Sequence, residues 1–130
     1  LKHLQKDMNM SVLLITHDFG VVSQIARRVA VMYAGKIVEE GPMEDVFAEP
    51  WHPYTKLLIL SIPGIKVTRG KRLESIKGTV PNPLRFPEGC RFAPRCPYAT
   101  EACRKTEPPV YEEEGRRVSC FLFKRDTASN

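Results

Sequence analysis

The sequence predicts an α/β fold that begins in a layered sheet-and-helix domain and ends in a small cysteine-bearing module. Three observations carry this expectation. Residues 12–16, Val-Leu-Leu-Ile-Thr, form an apolar run of the kind buried on both faces inside a parallel sheet. A helical stripe follows at Val21, Val22, Ile25 and Ala26, making a strand–helix unit. All four cysteines fall late in the chain, at positions 90, 96, 103 and 120.

Each element can be justified in order. Leu1 to Asp7 reads as the end of a helix, with Leu1 and Leu4 on one face. The buried strand occupies 12–16 and stops at His17. Asp18 suits a helix N-cap, and the stripe after it extends to about Arg28. Two β-rich runs, Val29 to Tyr33 and Lys36 to Glu40, flank Ala34-Gly35 and read as a hairpin. Pro42 fits the first turn of a short helix with Met43, Val46 and Phe47 on one face, and Pro50 stops it. His52-Pro53 starts another helix, whose stripe is Tyr54, Leu57, Leu58, Ser61 and Ile62, and Pro63-Gly64 ends it. Residues 63–89 are loop-rich, with Gly70, Gly78, Pro81, Pro83, Pro87 and Gly89. The cysteine module beyond is too small for a large core and needs a staple.

Composition sets the class. A chain of 130 residues with 42% hydrophobic and 27% charged residues has the size and core of one globular domain, which argues against disorder. No apolar run approaches the roughly 18 residues that suggest a spanning helix. The chain starts at Leu1 with no targeting segment, and reads as a soluble piece of something longer. The net charge of +5 is uneven. Residues 62–87 carry six basic residues (Lys66, Arg69, Lys71, Arg72, Lys77 and Arg85) against one acid. A solvated linker is the favoured reading of that stretch. Nucleic-acid binding would add interleaved aromatics, and only Phe86 is there, so no nucleic-acid partner is expected.

Two features point to chemistry. His17 stands at the carboxyl end of the apolar strand, where open α/β sheets place ligand contacts. The cysteines follow the spacing C-x5-C-x6-C-x16-C. Disulfides would need an oxidising compartment, with three connectivities open. Four thiolates also suit a tetrahedral zinc or an iron–sulfur cluster. No tight zinc knuckle occurs, Pro97 follows Cys96 as in ferredoxin-type runs, and Arg91, Arg95 and Arg104 lie near enough in sequence to offset negative charge. Spacing alone leaves metal or cluster against disulfide or free thiols open. Trp51, His52 and Tyr54 are expected to serve a helix start and core packing.

The segment LLITHDFGVVSQIARRVAVMYAGKIVEEGP resembles the end of the nucleotide-binding domain of an ABC transporter ATPase. His52-Pro53-Tyr54 through GCRFAPRCPYATEAC to VSCFL resembles the C-terminal extension of the oligopeptide/dipeptide transporter ATPases. THD alone is a weak motif, but the ordered set THD, MYAGKIVEEG, HPYT and four cysteines is specific. The resemblance implies the end of a P-loop ABC ATPase domain over 1–49, a helix and basic linker over 50–89, and a small irregular four-cysteine module over 90–125. It implies that His17 is the switch histidine, which contacts the γ-phosphate of ATP and helps hold the attacking water. A donor placed there meets developing negative charge. Asp18 is then a cap and loop organiser.

The same resemblance implies a 4Fe–4S cluster on Cys90, Cys96, Cys103 and Cys120, ahead of zinc. It places the protein peripherally at the cytoplasmic face of the membrane, where stable disulfides do not persist. Its implied partners are membrane permease subunits and a second ATPase subunit, with ATP and Mg as cofactors of the parent protein. The glycine-rich phosphate loop, the LSGGQ-type signature and the acidic strand end with its catalytic Glu are not in this sequence. The chain alone is therefore expected neither to bind ATP tightly nor to hydrolyse it. Without sheet neighbours, the strand at 12–16 is expected to self-associate or to pair in a non-native way. An independent iron–sulfur or zinc redox module is the alternative function.

Overall fold

Residues in the left-handed region set the geometry of the sheet. The computed structural model describes residues 2–64 and 76–123. Ala34 (φ 47°) and Gly35 (φ 79°) form the two-residue turn between β1 (Arg28–Tyr33) and β2 (Lys36–Pro42). Positive φ at both positions matches the right-handed twist of the flanking strands. Along β1, Val29, Val31 and Tyr33 are buried and the residues between them exposed, the period of two that a strand with one covered face requires. The pairing shifts register between Val31 and Met32.

A second hairpin repeats this device. β3 (Val110–Glu113) and β4 (Arg116–Ser119) turn at Glu114 (φ 50°) and Gly115 (φ 74°). β4 pairs with β2 through Glu39 opposite Val118 and Glu40 opposite Arg117. The result is one antiparallel sheet in the order β1-β2-β4-β3. The cysteine-bearing segment, expected to be irregular, thus adds two strands to the first hairpin. No local pattern announced this, because the pairing joins residues almost 80 positions apart.

The expected buried strand at 12–16 is not found. Residues 10–16 form neither helix nor strand, and Leu13 and Ile15 are each 89% exposed. A strand apolar on both faces needs a neighbour on each side to satisfy its backbone. Among the described residues none pairs with it. The mixed α/β character stands, but the sheet is antiparallel.

The helices follow their sequence signals closely. α1 (Lys2–Met8) buries nothing, and Leu1 lies outside the described residues. α2 (Phe19–Ile25) is capped by Asp18, whose Oδ1 accepts from the Val21 N–H at 3.2 Å. It ends before Arg28 because β1 starts there. Asp18→Ala is expected to cost about 1 kcal/mol, read as lost helical signal from this segment alone. α3 (Met43–Ala48) begins directly after Pro42 and buries Val46 completely. α4 (Pro53–Leu60) has His52 as its N-cap and Pro53 in its first turn. Its deepest residues are Pro53, Thr55 and Ile59, while the expected stripe members Tyr54, Leu57 and Leu58 are half-buried against the core. α4 is therefore covered on two sides. α5 (Glu101–Lys105) is capped by Thr100.

The core lies on the β1–β2 hairpin, around Val31, Tyr33, Val38 and Phe92. Phe92 is its hub, with ring centroids 5.1 Å from Tyr33, 5.3 Å from Tyr54 and 5.8 Å from His52. Cys90 and Cys96, its sequence neighbours, pack against the same cluster. Of the basic stretch, Lys66, Arg69, Lys71 and Arg72 lie outside the described residues.

Candidate functional site

The four cysteines meet at one pocket. Cys90 is placed by Gly89, where a Cβ would lie 2.2 Å from the Cys103 carbonyl oxygen. That close approach lets the Cys90 N–H donate to the Cys103 carbonyl at 2.7 Å, tying the first thiol to the third. A 3-10 turn, Ala93–Arg95, then reverses the chain and brings Cys96 to the same side. α5 carries Cys103, with its sulfur 3.3 Å from the capping Thr100 hydroxyl. Cys120 directly follows β4. All four line a pocket of about 310 Å³, open space at its mouth included, with His52, Phe92, Tyr98, Pro108 and Phe121 in its wall. None of the four is in a disulfide.

Three of the four thiols are biased toward the protonated form. Burial pushes Cys90 and Cys96 up and takes Cys120 up to about 11, and repulsion from the neighbouring thiols adds to each rise. Backbone N–H groups of Phe92 and Ala93 act on Cys90, of Tyr98 on Cys96 and of Leu122 on Cys120, pulling the other way. Reactive cysteines have depressed pKa values, so these are not poised as nucleophiles. They lose their protons when a metal replaces them. The thiols spread around a pocket wall; among the described residues no group of three or more His, Cys, Asp or Glu is arranged to hold a metal ion.

Two of the three arginines expected to offset charge here are used elsewhere. Arg91 donates to the Ala34 carbonyl and stacks on Phe86 at 3.7 Å. Arg95 donates to the Ile76 and Lys77 carbonyls and to the Tyr33 hydroxyl. Both pin the loops before and after Cys90 to the first hairpin.

A buried clamp fixes the pocket against the sheet. Glu39 is fully buried, and its carboxylate accepts from the N–H groups of Trp51 and His52 at 2.9 Å each and from Arg116 at 3.1 Å. Arg116 also donates to the Glu49 carbonyl at 2.6 Å and covers the Trp51 ring at 3.7 Å. Trp51 in turn stacks on Phe123 at 4.0 Å, the packing role its sequence context suggested. Glu39, Arg116 and Gly89 were not legible as site residues.

His52 stands at the helix start that the sequence indicated and is its N-cap, accepting the Tyr54 N–H on Nδ1 at 3.0 Å, and it also lines the cysteine pocket. Burial lowers its pKa from 6.5 to about 4. Between those values only the unfolded chain takes the proton, so stability falls as pH drops below 6.5 and levels off below about 4. The expected loss between pH 7 and pH 5 is about 2 kcal/mol. Urea midpoints at the two pH values check it, and His52→Asn should remove that difference.

His17 lies away from the thiols. It is exposed and shares a pocket with Asp18, Phe19, Gly20 and the end of α4 and its following turn, through Leu58, Ser61, Ile62 and Pro63. Thr16 shapes the approach, its hydroxyl accepting the Asp18 N–H at 3.0 Å. α4 thus has His52 and the thiol pocket at its start and the His17 pocket at its end. Eight residues of helix separate them, about 12 Å.

Known proteins are similar to this chain in sequence. The sequence is 50% identical over 129 residues to the oligopeptide transport ATP-binding protein AppD of Bacillus subtilis, covering 98% of this chain and 39% of that protein. It is 51% identical over 121 residues to the dipeptide transport ATP-binding protein DppD of Haemophilus influenzae, covering 92% of this chain and 36% of that one. The chain therefore spans under two fifths of the length of these relatives. The profile of the oligopeptide/dipeptide transporter C-terminal region matches residues 38–103, from β2 through the third cysteine. The chain belongs to the oligopeptide/dipeptide transporter C-terminal region family.

Proposed function

We propose that this chain is the C-terminal part of the ATP-hydrolysing subunit of an ABC peptide importer, carrying an iron–sulfur site in its extension. The observation that supports this most is the identity of about half the residues, over almost the whole chain, with proteins named as oligopeptide and dipeptide transport ATP-binding proteins. In this reading residues 1–49 close the nucleotide-binding domain, 50–89 connect, and 90–125 form the cysteine extension. The apolar run at 12–16 is covered in the intact domain by neighbouring strands, and in the isolated chain it is a self-association surface. ATP and Mg bind the parent protein, whose partners are permease subunits and a second ATPase subunit at the cytoplasmic face of the membrane. No helix among the described residues is long and apolar enough to cross that membrane.

His17 is the residue proposed to act on ATP. It is exposed in the loop just before the Asp18-capped helix, which leaves it accessible to a terminal phosphate. Preorganised donors of this kind stabilise charge that develops in the transition state. In the full-length protein His17→Ala is expected to lower ATP turnover about a hundredfold or more while ATP still binds. Turnover equal to the wild type would refute the assignment.

Cys90, Cys96, Cys103 and Cys120 are proposed as ligands of a 4Fe–4S cluster. What supports this reading is four free thiols around one pocket, with backbone N–H groups acting on three of them. A bound cluster would staple the extension and could carry one electron. The chain's own part is to supply thiolates and to exclude water with buried Phe92.

A further inference from the structure

We propose that Phe47 is a positioning residue for His17: its ring holds Phe19, and through it the loop that carries the imidazole. The proposal rests on the reading of His17 as the residue that acts on ATP, and names what keeps it in place.

The backbone around His17 is locked link by link. Thr16 and Asp18, the residues on either side of it, are bonded to each other, the Asp18 N–H donating to the Thr16 hydroxyl at 3.0 Å. Asp18 in turn accepts the Val21 N–H at 3.2 Å and so caps α2. His17 therefore moves with the start of α2, whose first residue is Phe19.

α3 fixes that start. The Phe19 and Phe47 rings pack tilted, with centroids 5.6 Å apart. Aromatic pairs favour offset or edge-on geometries at such distances, so the pair specifies orientation as well as contact. Just past the other end of α2, the Arg27 carbonyl accepts the Met43 N–H at 2.9 Å. α2 is thus braced at both ends by α3. α3 itself sits on the sheet through Val46, which is fully buried and whose Cγ2 would lie 3.2 Å from a Cβ on Gly41. Val46 holds α3 to the sheet, and Phe47, half-buried beside it, holds α2. The opposite wall of the His17 pocket is also anchored. Leu58 and Ile62 line it, and Leu58 packs against the core as well. A donor placed for a transition state loses its effect when displaced, and a shift of about 1 Å can cost about a hundredfold in rate.

The test uses the full-length subunit with Phe47→Leu, which keeps an apolar side chain but removes the ring, and Phe47→Tyr, which keeps the ring. Phe47→Leu should lower kcat for ATP roughly tenfold with KM near the wild-type value, the sign of an interaction that matters only in the transition state. Phe47→Tyr should stay near the wild type. In a His17→Ala background Phe47→Leu should cost nothing further, because no imidazole is left to position. Phe19→Leu removes the same ring pair from its other side and should reproduce the loss. A further readout needs no ATP: in the ligand-free protein the His17 imidazole resonances should move in Phe47→Leu, while those of exposed His3 stay in place. Wild-type turnover by His17→Ala would overturn the ATP reading and this proposal together. An undiminished kcat in Phe47→Leu, an equal loss with and without His17, or unmoved His17 resonances would overturn this proposal alone.

Discussion

Glu39→Ala is expected to destabilise this protein more than any other single substitution. The carboxylate is wholly buried and accepts three hydrogen bonds, from two backbone N–H groups and one guanidinium. Removing it strands the Arg116 charge in the interior, where that group is only 6% exposed. Breaking a buried pair from one side costs about 3–5 kcal/mol. A domain of this size has about 5–15 kcal/mol in total, so the loss is a large share of its stability. Urea denaturation measures the loss directly. Replacing both charges, Glu39→Gln with Arg116→Met, should cost less than the sum of the two single changes, because no lone charge is left behind. A Glu39→Ala chain within about 1 kcal/mol of the wild type would place this clamp with ordinary surface pairs and contradict the account. The clamp ties β2, β4 and the residues just before α4 together, so its loss also frees His52.

Gly89→Ala should abolish cofactor loading while leaving the thiols in the sequence. Its new Cβ would sit 2.2 Å from the Cys103 carbonyl oxygen and 2.7 Å from the Arg104 carbonyl carbon, both backbone atoms with no rotamer to change. The two loops must separate, and the Cys90–Cys103 hydrogen bond at 2.7 Å breaks. The strain is worth about 1–3 kcal/mol by comparison with overpacked cores. The greater effect is on the site, because Cys90 and Cys103 then face the pocket from altered positions. Iron and sulfide per folded chain measure this, with circular dichroism to confirm folding. Wild-type loading by Gly89→Ala would mean that the close approach does not shape the pocket.

The two predictions mark where sequence reading succeeded and where it stopped. Turns, caps and helices were legible because their signals are local. Ala34-Gly35 demands a tight hairpin, Asp18 and His52 each cap the helix that follows them, and Pro42 and Pro53 each stand where a helix begins. The four cysteines were legible as a group, and the structure places them around one pocket. The clamp was invisible because Glu39 and Arg116 are 77 positions apart, and nothing in the sequence separates buried Glu39 from half-buried Glu40. Gly89 read as one more loop glycine, since its role depends on a carbonyl that α5 brings back to it. The apolar run before His17 failed for a different reason. Its pattern describes a strand between two others, and a pattern states what a segment needs rather than what surrounds it. Arg91 and Arg95 lie near the cysteines in sequence, but their guanidinium groups reach the first hairpin.

The central claim is that these four thiols form one cluster site, and elemental analysis tests it most directly. The full chain, purified anaerobically, should hold about four iron and four acid-labile sulfide per molecule, and a Cys→Ser change at any of the four positions should lower both. Stoichiometric zinc without sulfide, or four thiols that all react freely in the native protein, would contradict it.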